Sequence, residues 1–253
     1  MTFDEHLQAL RSRVEPLERI VQIFATSLGE PILYRYDSDR GFRYKSPNVQ
    51  HFCLLKSVRV VSALNAGFEL ARNGYTQEIG VLIRTLIECT THIEFVLDPN
   101  DSEQHRSEVE KYITVFFADS RRDPSAEIKK AQVRQGVVHA SIGKTLDDIA
   151  EQHDNTEGRV PAATLYYNIY RIFSNYVHAK YPKIMDLYGG RPGRFHLRGM
   201  SGTPKDRENL VTLNAFITTA SNSFVLMIQG LNMRTLIEAD PVLAKWYAEW
   251  FTR

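Results

Sequence analysis

Arg171, Ser174, Asn175 and His178 carry the chemistry-bearing side chains of the segment Arg171-Ile172-Phe173-Ser174-Asn175-Tyr176-Val177-His178. At helical spacing Arg171 and His178 fall two turns apart on one face, with Ser174 and Asn175 between them. A guanidinium can bind a phosphate through two N–H groups and offset charge in a pentacoordinate transition state. An imidazole takes or gives a proton near neutral pH. Asn175 can orient a 2′-hydroxyl or the imidazole. The same four residues can equally form a polar seam that bonds to neighbouring helices and does no chemistry.

The helix that must carry them is read over 162–180 and is two-faced. Leu165, Tyr166, Ile169, Tyr170, Ile172, Phe173, Tyr176 and Val177 fall on one broad side. Tyr167, Asn168, Arg171, Ser174, Asn175 and His178 fall on the other. Between Val160 and Tyr181 the full charges are Arg171 and Lys180. A plain solvent face would carry Lys and Glu pairs, so this one suits a cleft or an interface.

A second polar stripe lies on a helix read over 76–97. Arg84 and Glu88 stand at i, i+4 among Ile79, Leu82, Ile83, Leu86, Ile87, Ile93 and Val96, with Gln77, Thr91 and His92 nearby. Such a pair, if buried, needs further hydrogen bonds and either fixes a helix register or lines a site. Glu88 and His92 do not make a metal site, because Thr91 stands where a Glu-x-x-His pair needs its imidazole. No Cys/His metal spacing occurs, and neither metal nor cofactor is expected. A Walker loop, a dinucleotide glycine fingerprint, a Gly-x-Ser-x-Gly elbow and a His-Glu-x-x-His motif are all absent from the sequence.

From Leu187 to Lys205 there is no acidic residue, while Arg191, Arg194, Arg198 and Lys205 are basic and five glycines and Pro192 make the segment irregular. Such a loop can offer N–H groups and guanidinium forks to a phosphate chain, closing over the 171–178 face, or it can be a solvated loop. Residues 32–45 interleave Arg35, Arg40, Arg43 and Lys45 with Tyr34, Tyr36, Phe42 and Tyr44, which suits single-stranded RNA. Ile32–Tyr36 and Phe42–Tyr44 read as either a small hairpin or an irregular excursion.

Helices are expected at 3–28, 48–73, 76–97, 100–121, 124–153, 162–180, 205–235 and 241–252, with Pro16 kinking or splitting the first. Prolines at Ser46-Pro47, Asp98-Pro99, Asp123-Pro124, Val160-Pro161, Thr203-Pro204 and Asp240-Pro241 read as first-turn residues. Gly74 reads as the cap that ends the second helix. The fold expected is all-α, one bundle of about seven or eight helices. Residues 1–46 supply an N-terminal helix and the hairpin or irregular excursion, and 47–253 the bundle proper, in one compact domain.

With 253 residues, 43% hydrophobic and 24% charged, the chain has an ordinary globular composition. Its net charge of +1 gives no global attraction to nucleic acid or anionic lipid, so any such attraction must be local. Cys53 and Cys89 read as buried thiols of a reducing compartment. The acidic start is no secretory signal, and no run approaches the ~20 apolar residues of a spanning helix. The reading is cytoplasmic, with no membrane partner.

Arg-x6-His late in an all-helical chain resembles the Arg-x(4–6)-His motif of the HEPN superfamily (higher eukaryotes and prokaryotes nucleotide-binding). The chain is also similar to a bacterial family of unknown function. That likeness rests on Ile83-Arg84-Thr85-Leu86-Ile87-Glu88 and Phe173-Ser174-Asn175-Tyr176-Val177-His178 and extends over about 48–235. The resemblance implies a metal-independent endoribonuclease of a defence or toxin–antitoxin system, working as a homodimer on RNA and travelling with an antitoxin or other protein partner. It makes Arg171 the phosphate binder and His178 the proton-transfer group. Catalytic members carry a polar residue directly after the Arg, where this chain has Ile172. That departure points to the alternative, a catalytically silent helical module that binds a protein or small ligand.

Overall fold

The computed structural model describes residues 1–36, 39–99, 102–117 and 162–251. Within them the chain forms α1 (Phe3–Ser12), α2 (Glu15–Leu28), β1 (Ile32–Tyr36), β2 (Asp39–Arg43), α3 (Val49–Arg72), α4 (Thr76–Val96) and α5 (Glu103–Phe117). After the undescribed stretch come α6 (Ala162–Val177), α7 (Tyr181–Met185), α8 (Lys205–Gly230), α9 (Arg234–Glu238) and α10 (Pro241–Phe251). The all-α expectation holds, with a two-stranded antiparallel ribbon as the one sheet among the described residues.

Local chemistry sets most boundaries. Thr2 and Glu5 form a reciprocal capping box at the start of α1. Pro16 does split the first helix, standing in the opening turn of α2. Asp240 caps α10 by accepting from the Val242 and Leu243 N–H groups, with Pro241 at the first helical position as expected.

Three prolines expected in first turns do not stand there. Asn48 takes the cap of α3, accepting from the His51 N–H at 3.2 Å, and leaves Pro47 outside. Ser102 accepts from His105 N–H at 3.2 Å and begins α5, so Asp98-Pro99 lies ahead of it. Pro204 occupies the cap of α8 rather than its first turn. In each case a side-chain acceptor or a turn closer to the helix outcompeted the proline signal. The helix expected over 205–235 breaks at Asn232, whose φ of 55° is left-handed, giving α8 and α9. The 124–153 helix, Asp123-Pro124 and Val160-Pro161 lie outside the described residues.

The hairpin reading of 32–44 is correct, and its strands run further toward the tip than expected. Tyr36 pairs with Asp39, Leu33 with Phe42 and Ile32 with Arg43.

Helix α4 is the axis of the bundle, packed against α3, α6 and α8. Phe24, Phe52, Phe68, Phe95 and Phe224 are fully buried in the core. Cys53 and Cys89 are buried free thiols, as expected. Helix α8 corrects the expectation that no segment is long and apolar enough to cross a membrane, since by length and composition it qualifies. Half of its most apolar stretch is buried, with Leu213, Ile217, Ala220, Phe224 and Ile228 packed into the core. Its Thr and Ser residues are too small to offset those apolar positions, which is why burial inside a bundle and a lipid-spanning composition look alike.

The α3–α4 connection is a contact point. Gly74 has φ 72°, and Gly199 of the distant 189–203 segment has φ 88°. A Cβ on Gly74 would lie 2.1 Å from the Ser201 nitrogen, and one on Gly199 would lie 1.9 Å from the Asn73 oxygen. The Met200 N–H donates to the Gly74 carbonyl at 2.8 Å, and Met200 is buried. Either Gly74→Ala or Gly199→Ala is therefore expected to destabilise the protein by roughly 2–4 kcal/mol, from left-handed strain and backbone collision together. Urea unfolding checks this, and a midpoint equal to that of the unsubstituted protein counts against it.

Glu94 on α4 gives a pH signature. Burial pushes its carboxyl up to about 7 from an ordinary 4.5. The folded state thus favours the protonated form, so this group's contribution to stability falls as pH rises from the lower to the upper value. Thermal unfolding at pH 5 and pH 8 should show a decline on the order of 2–3 kcal/mol that Glu94→Gln largely removes.

Candidate functional site

Four contacts in order lay the segment 170–200 along α4. Arg84 donates to the Tyr170 hydroxyl on α6. The Tyr176 ring lies against Gly80, where a Cβ would be 2.5 Å from it. The Gln77 side-chain amide donates to the Lys183 carbonyl at 2.7 Å. Met200 meets Gly74. As the chain advances from 170 to 200 its partners retreat from 84 to 74, so α6 runs antiparallel to α4 and the segment closes on the α3–α4 turn. Phe173 adds an edge contact to Phe216 of α8, with ring centroids 5.3 Å apart. Small Gly80 permits the close approach, and an alanine there would push the helices apart.

This docking fixes which face of α6 looks outward. Tyr170, Phe173 and Tyr176 face the bundle, while Arg171 and His178 are exposed. Ser174 and Asn175 are half-buried at the flank of that stripe. The helix ends at the histidine. Ala179 turns left-handed at φ 47°, and the Lys180 N–H donates to the Asn175 carbonyl at 3.0 Å. Seven residues of helical rise separate Arg171 from His178 by about 10 Å along the axis. Two side chains so placed can approach one phosphodiester from either end of Asn175. Ile172 and Val177 flank the stripe, 48% and 37% exposed, so it is bordered by apolar surface.

The Arg84–Glu88 pair forms as expected, at 2.9 Å, with both side chains about one quarter exposed rather than fully buried. The Arg84 guanidinium carbon also sits 4.8 Å from the Tyr170 ring centre. The pair therefore faces α6 and holds its register. Tyr170 was legible only as an apolar-face residue, and its hydroxyl had no sequence signal for this role.

Lys56 of α3 was missed altogether. Its amine lies 4.7 Å over the Phe116 ring and 5.4 Å over Phe52. Burial lowers its affinity for a proton, against the pull of Cys89 and Glu88. The thiols are poor nucleophiles, because burial pushes Cys53 up to about 12 and raises Cys89 also, the latter against nearby Lys56 and Arg59. On α7, burial pulls the Lys183 amine down, but the Tyr176 hydroxyl and Asp186 outweigh it and hold it above its ordinary value. That amine also lies 4.7 Å over the Tyr176 ring. No cluster of His, Cys, Asp and Glu suited to a metal occurs among the described residues.

The basic segment is more ordered than its glycines suggest. Arg191, Arg194 and Arg198 are exposed on it. It is tied to the α3–α4 turn, at the end of α6 that carries His178 rather than Arg171. Lys205 does not share that loop. It opens α8 and pairs with Glu208 at 2.6 Å.

The Arg84–Glu88–Tyr170 group yields a quantitative expectation. Arg84→Ala should cost roughly 1–3 kcal/mol, because the Glu88 carboxylate loses its cation in a half-buried place. A double-mutant cycle of Arg84→Ala with Tyr170→Phe should show coupling of about 0.5 kcal/mol or more, and additive losses would mean that α6 is held by other contacts.

No curated protein and no solved structure matches the chain. A family model described as Family of unknown function (DUF5677) matches residues 50–194, the stretch that runs from α3 through α4 and α6 to the tip of the basic loop. That match covers more than half of the chain, and the protein belongs to this family.

Proposed function

We propose that the protein is an RNA-directed, HEPN-like endoribonuclease of a defence or toxin–antitoxin system, acting without a metal ion. The observation that carries this reading is the exposed pair of Arg171 and His178 on the outward face of α6, with half-buried Asn175 between them and a strongly basic loop beyond the histidine end. In the reaction the 2′-oxygen of a ribose attacks the adjacent phosphorus and the bond to the 5′-oxygen breaks. A 2′,3′-cyclic phosphate and a 5′-hydroxyl result. Arg171 offsets the charge that gathers on the phosphoryl oxygens. His178 handles one of the two protons that move, and Asn175 orients the ribose.

A single helix supplies one guanidinium and one imidazole, which is sparse for two proton transfers. The apolar border of Ile172 and Val177 suits a second copy that brings the other set. The rival reading is a catalytically silent helical module, and exposed Ile172 directly after Arg171 favours it. The two separate on total RNA incubated with purified protein in EDTA. Cleavage is expected, with cyclic phosphate ends, and Arg171→Ala and His178→Ala should each reduce it by about 100-fold or more. Absence of cleavage, or cleavage unchanged in both variants, would retire the enzyme and leave the silent module.

A further inference from the structure

We infer that residues 181–198 form a platform for single-stranded RNA, with Tyr188 and Phe195 as its stacking rings and Arg191, Arg194 and Arg198 as its phosphate contacts. The inference rests on the RNA-directed reading above for the identity of the ligand, but not on catalysis.

The segment is a miniature hairpin. The Gly189 N–H donates to the Arg194 carbonyl at 2.7 Å, and the His196 N–H to the Leu187 carbonyl at 2.8 Å. The Arg194 N–H closes the tip on the Arg191 carbonyl at 3.0 Å. Tyr188 and Phe195 are bridged across it, so their side chains leave the same face. Their ring centres are 5.4 Å apart at an interplanar angle of 61°, and the two residues are 38% and 47% exposed. Leu197 just beyond is 81% exposed, and Tyr181 on α7 is 77% exposed. Gly189 fits closely where the strands meet, since a Cβ there would be 3.1 Å from the Arg194 oxygen and would push that strand back by a few tenths of an ångström.

Charge decides the occupant. Between Leu187 and Pro204 every charged residue is an arginine, in a chain whose net charge is only +1. A second copy on this face would set those guanidinium groups against their own counterparts, which costs binding energy. A polyanion is favoured instead. Exposed rings select unpaired bases, because a base already stacked in a duplex has no free face to offer.

The test uses full-length His178→Ala protein, which removes the imidazole that cleavage needs, with a short fluorescein-labelled single-stranded RNA and its duplex. Fluorescence anisotropy should show the single strand bound about 10-fold more tightly than the duplex. Adding Phe195→Ala should weaken single-strand binding by about 10-fold, and Phe195→Trp should retain it. Arg194→Ala should reduce the slope of log affinity against log salt by about one. Thermal unfolding matched to that of the parent shows that the alanine variants are folded.

Equal affinity for the duplex, or binding indifferent to Phe195→Ala in a folded protein, overturns the platform. So does Phe195-dependent self-association or Phe195-dependent binding to anionic vesicles in place of RNA. RNA cleavage by the unsubstituted protein without any Phe195-dependent binding sinks the platform alone. Phe195-dependent binding without cleavage sinks the nuclease alone.

Discussion

The contact on which the site depends is the close approach of α6 to α4 at Gly80. A helix packed this tightly has little rotational freedom, because the Tyr176 ring fills the space a side chain on residue 80 would take. The Arg84–Tyr170 bond above it and the Gln77–Lys183 bond below it fix the sliding register. With rotation and register both set, the outward direction of Arg171 and His178 follows from helical geometry alone. The candidate chemistry is therefore positioned by residues that take no part in it.

The electrostatics separate along the same line. Inside the α3–α4–α6 contact, cations are matched: Arg84 with Glu88, and Lys56 with two aromatic rings and the same carboxylate nearby. Outside it, beyond the end of α6, the arginines of the basic hairpin stand without acidic residues in their own segment. A chain that is almost neutral as a whole thus presents a local field at one end, and screening at physiological salt confines that field to within about 8 Å. An anion would feel it only on close approach, which suits orientation at a site better than long-range capture.

Much of this architecture was legible in the sequence. Helical period and local signals located most helices, because Asp240 and Pro16 act within a few residues of themselves. The Arg84–Glu88 pair was readable for the same reason, being one helical turn apart. What was not legible depends on long-range approach. Tyr170 and Lys56 owe their roles to partners on other helices. The loop after α6 read as irregular because its glycines mark left-handed positions without saying what they touch, and the touching surface is a turn more than 100 residues earlier. Pro47, Pro99 and Pro204 misled because proline tolerates a helix start without requiring one. The four residues of the Arg171 stripe were singled out by spacing, and the exposure of Arg171 and His178 came only from the packing of the opposite face.

The cross-bonded turn between Leu187 and His196 has an energetic corollary. Chain folding itself has already removed most of the backbone freedom of that stretch, since its ends are held to each other and then to residue 74. A molecule that docks there meets preset ring positions and surrenders less entropy from the protein side than it would on a floppy tail. Affinity at such a place would be governed more by how supple the incoming molecule is than by any rearrangement of its host.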